Sequence, residues 1–171
     1  MLFTDNVFLY YFLPLALLAY TVAPRAWKAW TLAIISYAFY GWWRPDFVLL
    51  VWISTVIDFS CGRGIEKDHA RDRSGKRFVV LSCCVNLGLL AYFKYANFGV
   101  DTLNAILVAN GHEAFGWTKV ILPVGISFYT FQTLSYTIDV YRRQAPPVKR
   151  FGDFACYVAM FPQLVAGPIV R

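Results

Sequence analysis

ILPVGISFYTFQTLSYTIDVY, residues 121–141, and FPQLVAGPIVR, residues 161–171, decide how this chain is read. The first stretch is long enough to cross a bilayer, which takes about 20 residues of helix. Yet Ser127, Thr130, Gln132, Thr133, Ser135, Tyr136, Thr137 and Asp139 carry hydroxyl, amide and carboxylate groups into it. The second is apolar but interrupted by Pro162, Gly167 and Pro168. Proline lacks an N–H and clashes with the preceding turn; glycine permits positive φ or close backbone approach. Hydrocarbon satisfies neither polar side chains nor broken backbone, so both stretches belong inside protein or against a water-filled cavity. At 100° per residue, 127–140 puts Phe131, Leu134 and Ile138 on one apolar stripe. Gln132, Ser135 and Asp139 take the next face, and Thr130, Thr133 and Thr137 a third. The residues alone leave two readings of this polar surface open: the wall of a polar tunnel, or hydrogen bonding between packed helices. Residues 151–171 read as a re-entrant segment or a pair of half-helices, with a bent interfacial loop as the alternative.

Outward from these stretches the composition agrees. Of the 171 residues, 58% are hydrophobic, 19% aromatic and 15% charged, against about 25% charged in soluble domains. The mean hydropathy is +0.49. The fold class is all-α, a polytopic transmembrane protein. Four further apolar runs, 6–22, 26–43, 47–61 and 78–93, precede 121–141 and the broken segment 151–171. This gives about five spans in one membrane domain, with no internal repeat and no soluble domain. Several runs are short, and aromatic residues gather at their ends: Tyr10, Trp27, Trp30, Tyr40, Trp42, Tyr92 and Tyr95. Such rings suit the headgroup level, and they also suit packing of helix against helix.

The net charge of +6 does not imply nucleic acid, because the bases sit in short clusters between apolar runs. Basic connections alternate with non-basic ones. By the positive-inside rule, 23–28, 62–77 and 142–150 are cytoplasmic and the N-terminus lies outside. Segment 94–119 is then an outside segment, with an interfacial amphipathic helix at 98–109 ended by the Asn110-Gly111 turn. MLFTDN carries no Lys or Arg, so it lacks the basic start of a cleavable signal, and the first run is expected to stay as a helix.

Few side chains suggest chemistry. Asp139 precedes Arg142 and Arg143 by three and four residues, the spacing of a helix-end ion pair. Asp58, before Arg63, reads as a paired or snorkelling carboxylate near the cytoplasmic end of its span, although an intramembrane acid is a functional candidate. His69 and His112 fall in connections and read as solvated. Cys61, Cys83, Cys84 and Cys156 form no C-x-x-C pair and read as small hydrophobes, with Cys61, at a helix end, the candidate for reactivity. No metal site is expected.

The pair ILPVGISFYTFQTLSYTIDVYR and FPQLVAGPIVR resembles the membrane-bound O-acyltransferase family, in its bacterial alginate O-acetylation branch. The start MLFTDNVFLYYFLP, the Ser54-Thr55…Asp58 span and Tyr92-Phe93-Lys94-Tyr95 add to the resemblance in the right order. It implies a larger all-helical fold in the bacterial inner membrane, with a central tunnel and a periplasmic N-terminus. Acyl groups would pass from a cytoplasmic donor such as acetyl-CoA, with no bound cofactor, to periplasmic polysaccharide acetylation proteins. The tunnel or substrate-path positions would be Gln132, Ser135, Tyr136, Asp139, Pro162, Gln163, Gly167 and Pro168. The family's essential histidine lies downstream of FPQLVAGPIVR, and neither His69 nor His112 matches it. O-acyl transfer needs a base for the hydroxyl proton and donors for the oxyanion, and no catalytic residue is assigned here. The chain is expected to be the N-terminal part of an acyltransferase, inactive alone. The alternative is a small non-enzymatic membrane protein, a transporter subunit or scaffold.

Overall fold

A computed structural model describes residues 6–42 and 44–166, the side chains of 164–166 excepted. Among these residues there is helix and connection but no strand. A π-helical entry, Phe8–Phe12, leads into α1 (Leu13–Val22). Then come α2 (Lys28–Gly41), α3 (Pro45–His69), α4 (Lys76–Ala109), α5 (Ile126–Tyr141), α6 (Phe151–Ala159) and α7 (Phe161–Ala166). Two of them, α3 and α4, are long and apolar enough to cross a membrane.

Hydropathy marks where apolar surface stops, and the helices run past those points. α3 opens on Pro45, whose missing N–H costs nothing at a helix start. It continues through 25 residues to His69 instead of ending near residue 61. Arg63, Glu66 and Lys67 are good helix formers, and being charged does not stop a helix that has left the hydrocarbon. The connection expected at 62–77 therefore shrinks to 70–75.

α4 departs further from expectation. Its 34 residues, at 1.5 Å rise, reach about 51 Å, well beyond a hydrocarbon core of about 30 Å. Tilts up to about 40° do not absorb that excess. The separate interfacial helix expected at 98–109 is thus the far end of α4, since nothing between Phe93 and Phe98 breaks it. After the turn at Asn110 and Gly111, the chain returns alongside α4 without regular structure, and two asparagines hold it there. Asn97 Nδ2 donates to the Val120 carbonyl (2.6 Å), and its Oδ1 accepts from the Val120 amide (2.8 Å) and the Trp117 indole (3.2 Å). Asn104 does the same for Phe115, donating at 3.0 Å and accepting at 2.7 Å. Seven residues apart, the two amides stand two turns apart on one face of the helix.

α5, α3, α2 and α6 form the centre, where Val51, Ile65, Tyr129, Phe154 and Val158 are almost wholly buried. α4 lies at the edge: Val80, Leu81 and Leu87 are 44–50% exposed. Of its 34 residues, the buried ones are Ser82 and Asn86. An apolar outside with polar groups turned in is the pattern a lipid environment imposes.

Candidate functional site

α5 starts where Gly125, at φ +78°, turns the chain out of the irregular segment before it. That left-handed conformation suits glycine, and it shortens the helix expected at 121–141 to Ile126–Tyr141. The Tyr40 hydroxyl anchors the turn, donating to the Val124 carbonyl at 2.6 Å. From there α5 presents two polar faces to two different neighbours.

The threonine face meets α3 and α4. Thr130, Thr133 and Thr137 are buried, each one turn from the next. Against them lies Asp58, wholly buried near the middle of α3. Ser82 Oγ donates to Asp58 Oδ1 at 2.6 Å. Asn86 Nδ2 donates across both carboxyl oxygens, at 2.8 and 2.9 Å, and to the Ser82 carbonyl at 3.0 Å. Ser54 Oγ, one turn before Asp58, donates to Asn86 Oδ1 at 2.6 Å and lies 3.4 Å from Asp58 Oδ2. Thr137 Oγ1 stands 3.3 Å from Ser82 Oγ. Five side chains on three helices, Asp58 included, thus close one network around a single carboxyl group. The expectation for Asp58 is corrected: Arg63 turns away to Glu66 (3.6 Å), and Asp58 is a central group held by uncharged donors.

The glutamine face meets α6. Gln132 is buried, with Nε2 donating to the Tyr157 carbonyl at 2.9 Å. Its Oε1 is buried and has no partner, so an acceptor stands ready in the interior. Tyr136, one turn on, packs against Phe154 with the rings tilted at 45° (4.7 Å between centroids), and its oxygen accepts from the Val148 amide at 3.1 Å. The Tyr136 ring packs over Gly62, where a Cβ would stand 2.5 Å from its oxygen. Ser135 and Asp139 lie on the neighbouring strip, partly exposed. The ion pair expected for Asp139 is corrected: among the described residues its carboxylate pairs with neither Arg142 nor Arg143. Its carbonyl accepts instead from the Gln144 and Ala145 amides (2.9 and 3.4 Å), as Arg143 turns left-handed at φ +59°.

The expected break in the last segment is present, at Met160. Pro162 comes two residues later, in the first turn of α7, where its missing N–H is harmless. The freed Phe161 amide donates to Ser36 Oγ on α2 at 3.2 Å. The Phe161 ring packs with Phe8, Phe12 and Phe39, centroids 5.5–6.1 Å away. Pro162 is exposed and Gln163 half-buried; Gly167 and Pro168 lie outside the described residues.

A buried polar core joined to a broken helix is the setting in which the relatives become informative. Over all 171 residues the chain is 47% identical to probable alginate O-acetylases AlgI of Azotobacter vinelandii and Pseudomonas aeruginosa, of which it spans 34% and 33%. It is homologous to the N-terminal part of the alginate O-acetylases. These are members of the membrane-bound O-acyltransferase family, and the chain spans about a third of their length. A peptidoglycan O-acetyltransferase of Helicobacter pylori is 30% identical over 202 residues, 37% of its length. No family model matches the chain, and no solved structure does.

Within this alginate O-acetylase homologue, α5 is the element that sequence reasoning singled out correctly as polar and enclosed. Asp58 reads as a candidate from the sequence; what sequence reasoning missed is its joining to Ser82 and Asn86. One signal was available: Ser82 and Asn86 are four residues apart in an otherwise apolar run, as are Ser54 and Asp58. Among the described residues no cluster of His, Cys, Asp and Glu could hold a metal ion. Cys61 is buried in mid-α3, away from the helix end where reactivity was considered.

Proposed function

We propose that this chain is the N-terminal part of a membrane O-acyltransferase that passes acetyl groups across the bacterial inner membrane, for O-acetylation of alginate or a similar exopolysaccharide. The observation that carries this reading is the 47% identity to alginate O-acetylases across every residue of the chain. On this reading the helical segments Phe8–Val22, α2, α3, α4 and α5 are five spans with the N-terminus periplasmic. Gln132, Ser135, Tyr136 and Asp139 line the acyl path, and Pro162, Gln163, Gly167 and Pro168 line its cytoplasmic entry. The donor is a cytoplasmic acyl thioester of the acetyl-CoA class, and the acetyl group leaves to periplasmic acetylation proteins. Asp58 is not assigned as the base, because it is wholly buried and its carboxyl group is already held by Ser82 and Asn86. The 171 residues supply scaffold and path, and alone they do not carry out the transfer.

The test uses the intact protein in an alginate-producing bacterium. Gln132→Leu keeps the volume and removes the unpartnered acceptor. Losing one interaction of about 1.4 kcal/mol along the path lowers the rate about tenfold, so polymer-bound acetate should fall while the membrane level of the protein holds. Wild-type acetylation at normal protein level would overturn the role of Gln132.

A further inference from the structure

On the flank of α3, Ser60, Arg63, Gly64 and Lys67 form one stripe at helical spacing. They line a cleft of about 580 Å³ together with Phe59, Phe78 and Lys149. The apolar side is built rigidly. A Cβ on Gly64 would stand 2.5 Å from the Phe78 ring, so glycine lets that ring approach α3 this closely. Phe59 meets Phe151 edge-on at 5.4 Å and Phe154 at 6.0 Å. The polar side is cationic. Arg63 Nη1 donates to the Lys149 carbonyl at 3.3 Å, tying the 142–150 connection to α3. Glu66 lies 3.6 Å from Arg63, leaving Lys67 and Lys149 without an ion pair among the described residues. The Ser60 hydroxyl donates to the Val56 carbonyl at 2.7 Å, so it faces the cleft as an acceptor.

Two lysines without an ion pair, with Arg63 beside them, thus share the cleft with two aromatic rings, at the point along α3 where its apolar surface gives way to charge. A cationic side facing an apolar side suits an anion that also carries a greasy part. We propose that this cleft binds an acidic phospholipid, its phosphate between Arg63, Lys67 and Lys149, one acyl chain along Phe59 and Phe78, and a headgroup hydroxyl donating to Ser60. Inorganic phosphate shares the charge but not the chain, and the experiment separates the two. The inference is independent of any acyl-transfer role.

The intact protein is purified in mild detergent and offered phosphatidylglycerol, or phosphatidylcholine with the same acyl chains, and bound lipid is counted by native mass spectrometry. Retention of phosphatidylglycerol over phosphatidylcholine is expected, undisturbed by millimolar inorganic phosphate. A basic residue beside an anionic headgroup is worth about fivefold in affinity. Lys67→Gln with Lys149→Gln should therefore weaken phosphatidylglycerol binding about 25-fold. Arg71→Gln with Lys76→Gln, two exposed bases outside the cleft, should leave it unchanged. Equal retention of the two lipids by the wild-type protein, equal losses in the two double variants, or displacement by inorganic phosphate would each overturn the assignment. The lipid comparison on the wild-type protein decides the matter even where a variant folds poorly.

Discussion

Replacing Asn86 with leucine tests whether the network around Asp58 holds α3, α4 and α5 together. Leucine fits the volume but removes both amide hydrogens and the carbonyl. Asp58 loses the N–H lying 2.8 and 2.9 Å from its oxygens. Leaving a buried polar group short of a partner costs about 1–3 kcal/mol. Ser54 loses its 2.6 Å acceptor but has Asp58 Oδ2 3.4 Å away to turn to, so it adds little. The single variant should therefore cost about 2–3 kcal/mol. Asp58→Leu alone strands the donors of Ser82 and Asn86 and should cost about as much, or somewhat more. With both replaced, no amide faces an empty carboxyl position. The remaining serines can donate to carbonyls one turn back on their own helices. The double variant should then cost about 2 kcal/mol less than the sum of the singles. Reversible denaturant unfolding of the intact protein in mild detergent supplies all four free energies. Additivity within about 0.5 kcal/mol would mean the carboxyl and the amide do not depend on one another, and the network reading would be refuted.

Two further predictions concern packing and the outer end of α4. Gly62→Ala pushes a methyl to 2.5 Å from the Tyr136 oxygen and 3.0–3.1 Å from its ring carbons. It should cost about 1–3 kcal/mol, and less when Tyr136→Phe has removed the oxygen; thermal unfolding that gave the same cost in both backgrounds would contradict the contact. Asn97→Ala releases the amide and carbonyl of Val120 and the Trp117 indole. Hydrogen exchange at Val120 should quicken about tenfold, as expected for loss of about 1.4 kcal/mol of local protection, while Phe115, held separately by Asn104, changes less; unchanged exchange at Val120 would dismiss the clamp.

Much of this arrangement is legible in the chain because it is local. The polar faces of α5 follow from residue spacing alone, and so does a break in the last segment. Where the reading failed, the cause was a neighbour. The end of the apolar run at Ser60 looked like a helix end, but charged helix formers carried α3 on to His69. Asp58 looked interfacial because Arg63 follows it. On the folded α3 the two diverge, Asp58 toward Ser82 and Asn86 and Arg63 toward Glu66. Asn97 and Asn104 each grip a backbone segment 11–23 residues later in the chain, a pairing that no local pattern announces.

By itself, then, the sequence determined the all-helical class, the polar character of α5 and the likeness to membrane O-acyltransferases. Hydropathy, periodicity and motif order are properties of neighbouring residues, and they survive without coordinates. Tertiary structure alone decided that the threonine face of α5 closes on Asp58 while the glutamine face meets α6 and keeps one acceptor unpartnered. Side chains on an isolated helix have directions but no partners. In a low-dielectric interior the partner decides whether a polar group is a lock, an opening or a cost.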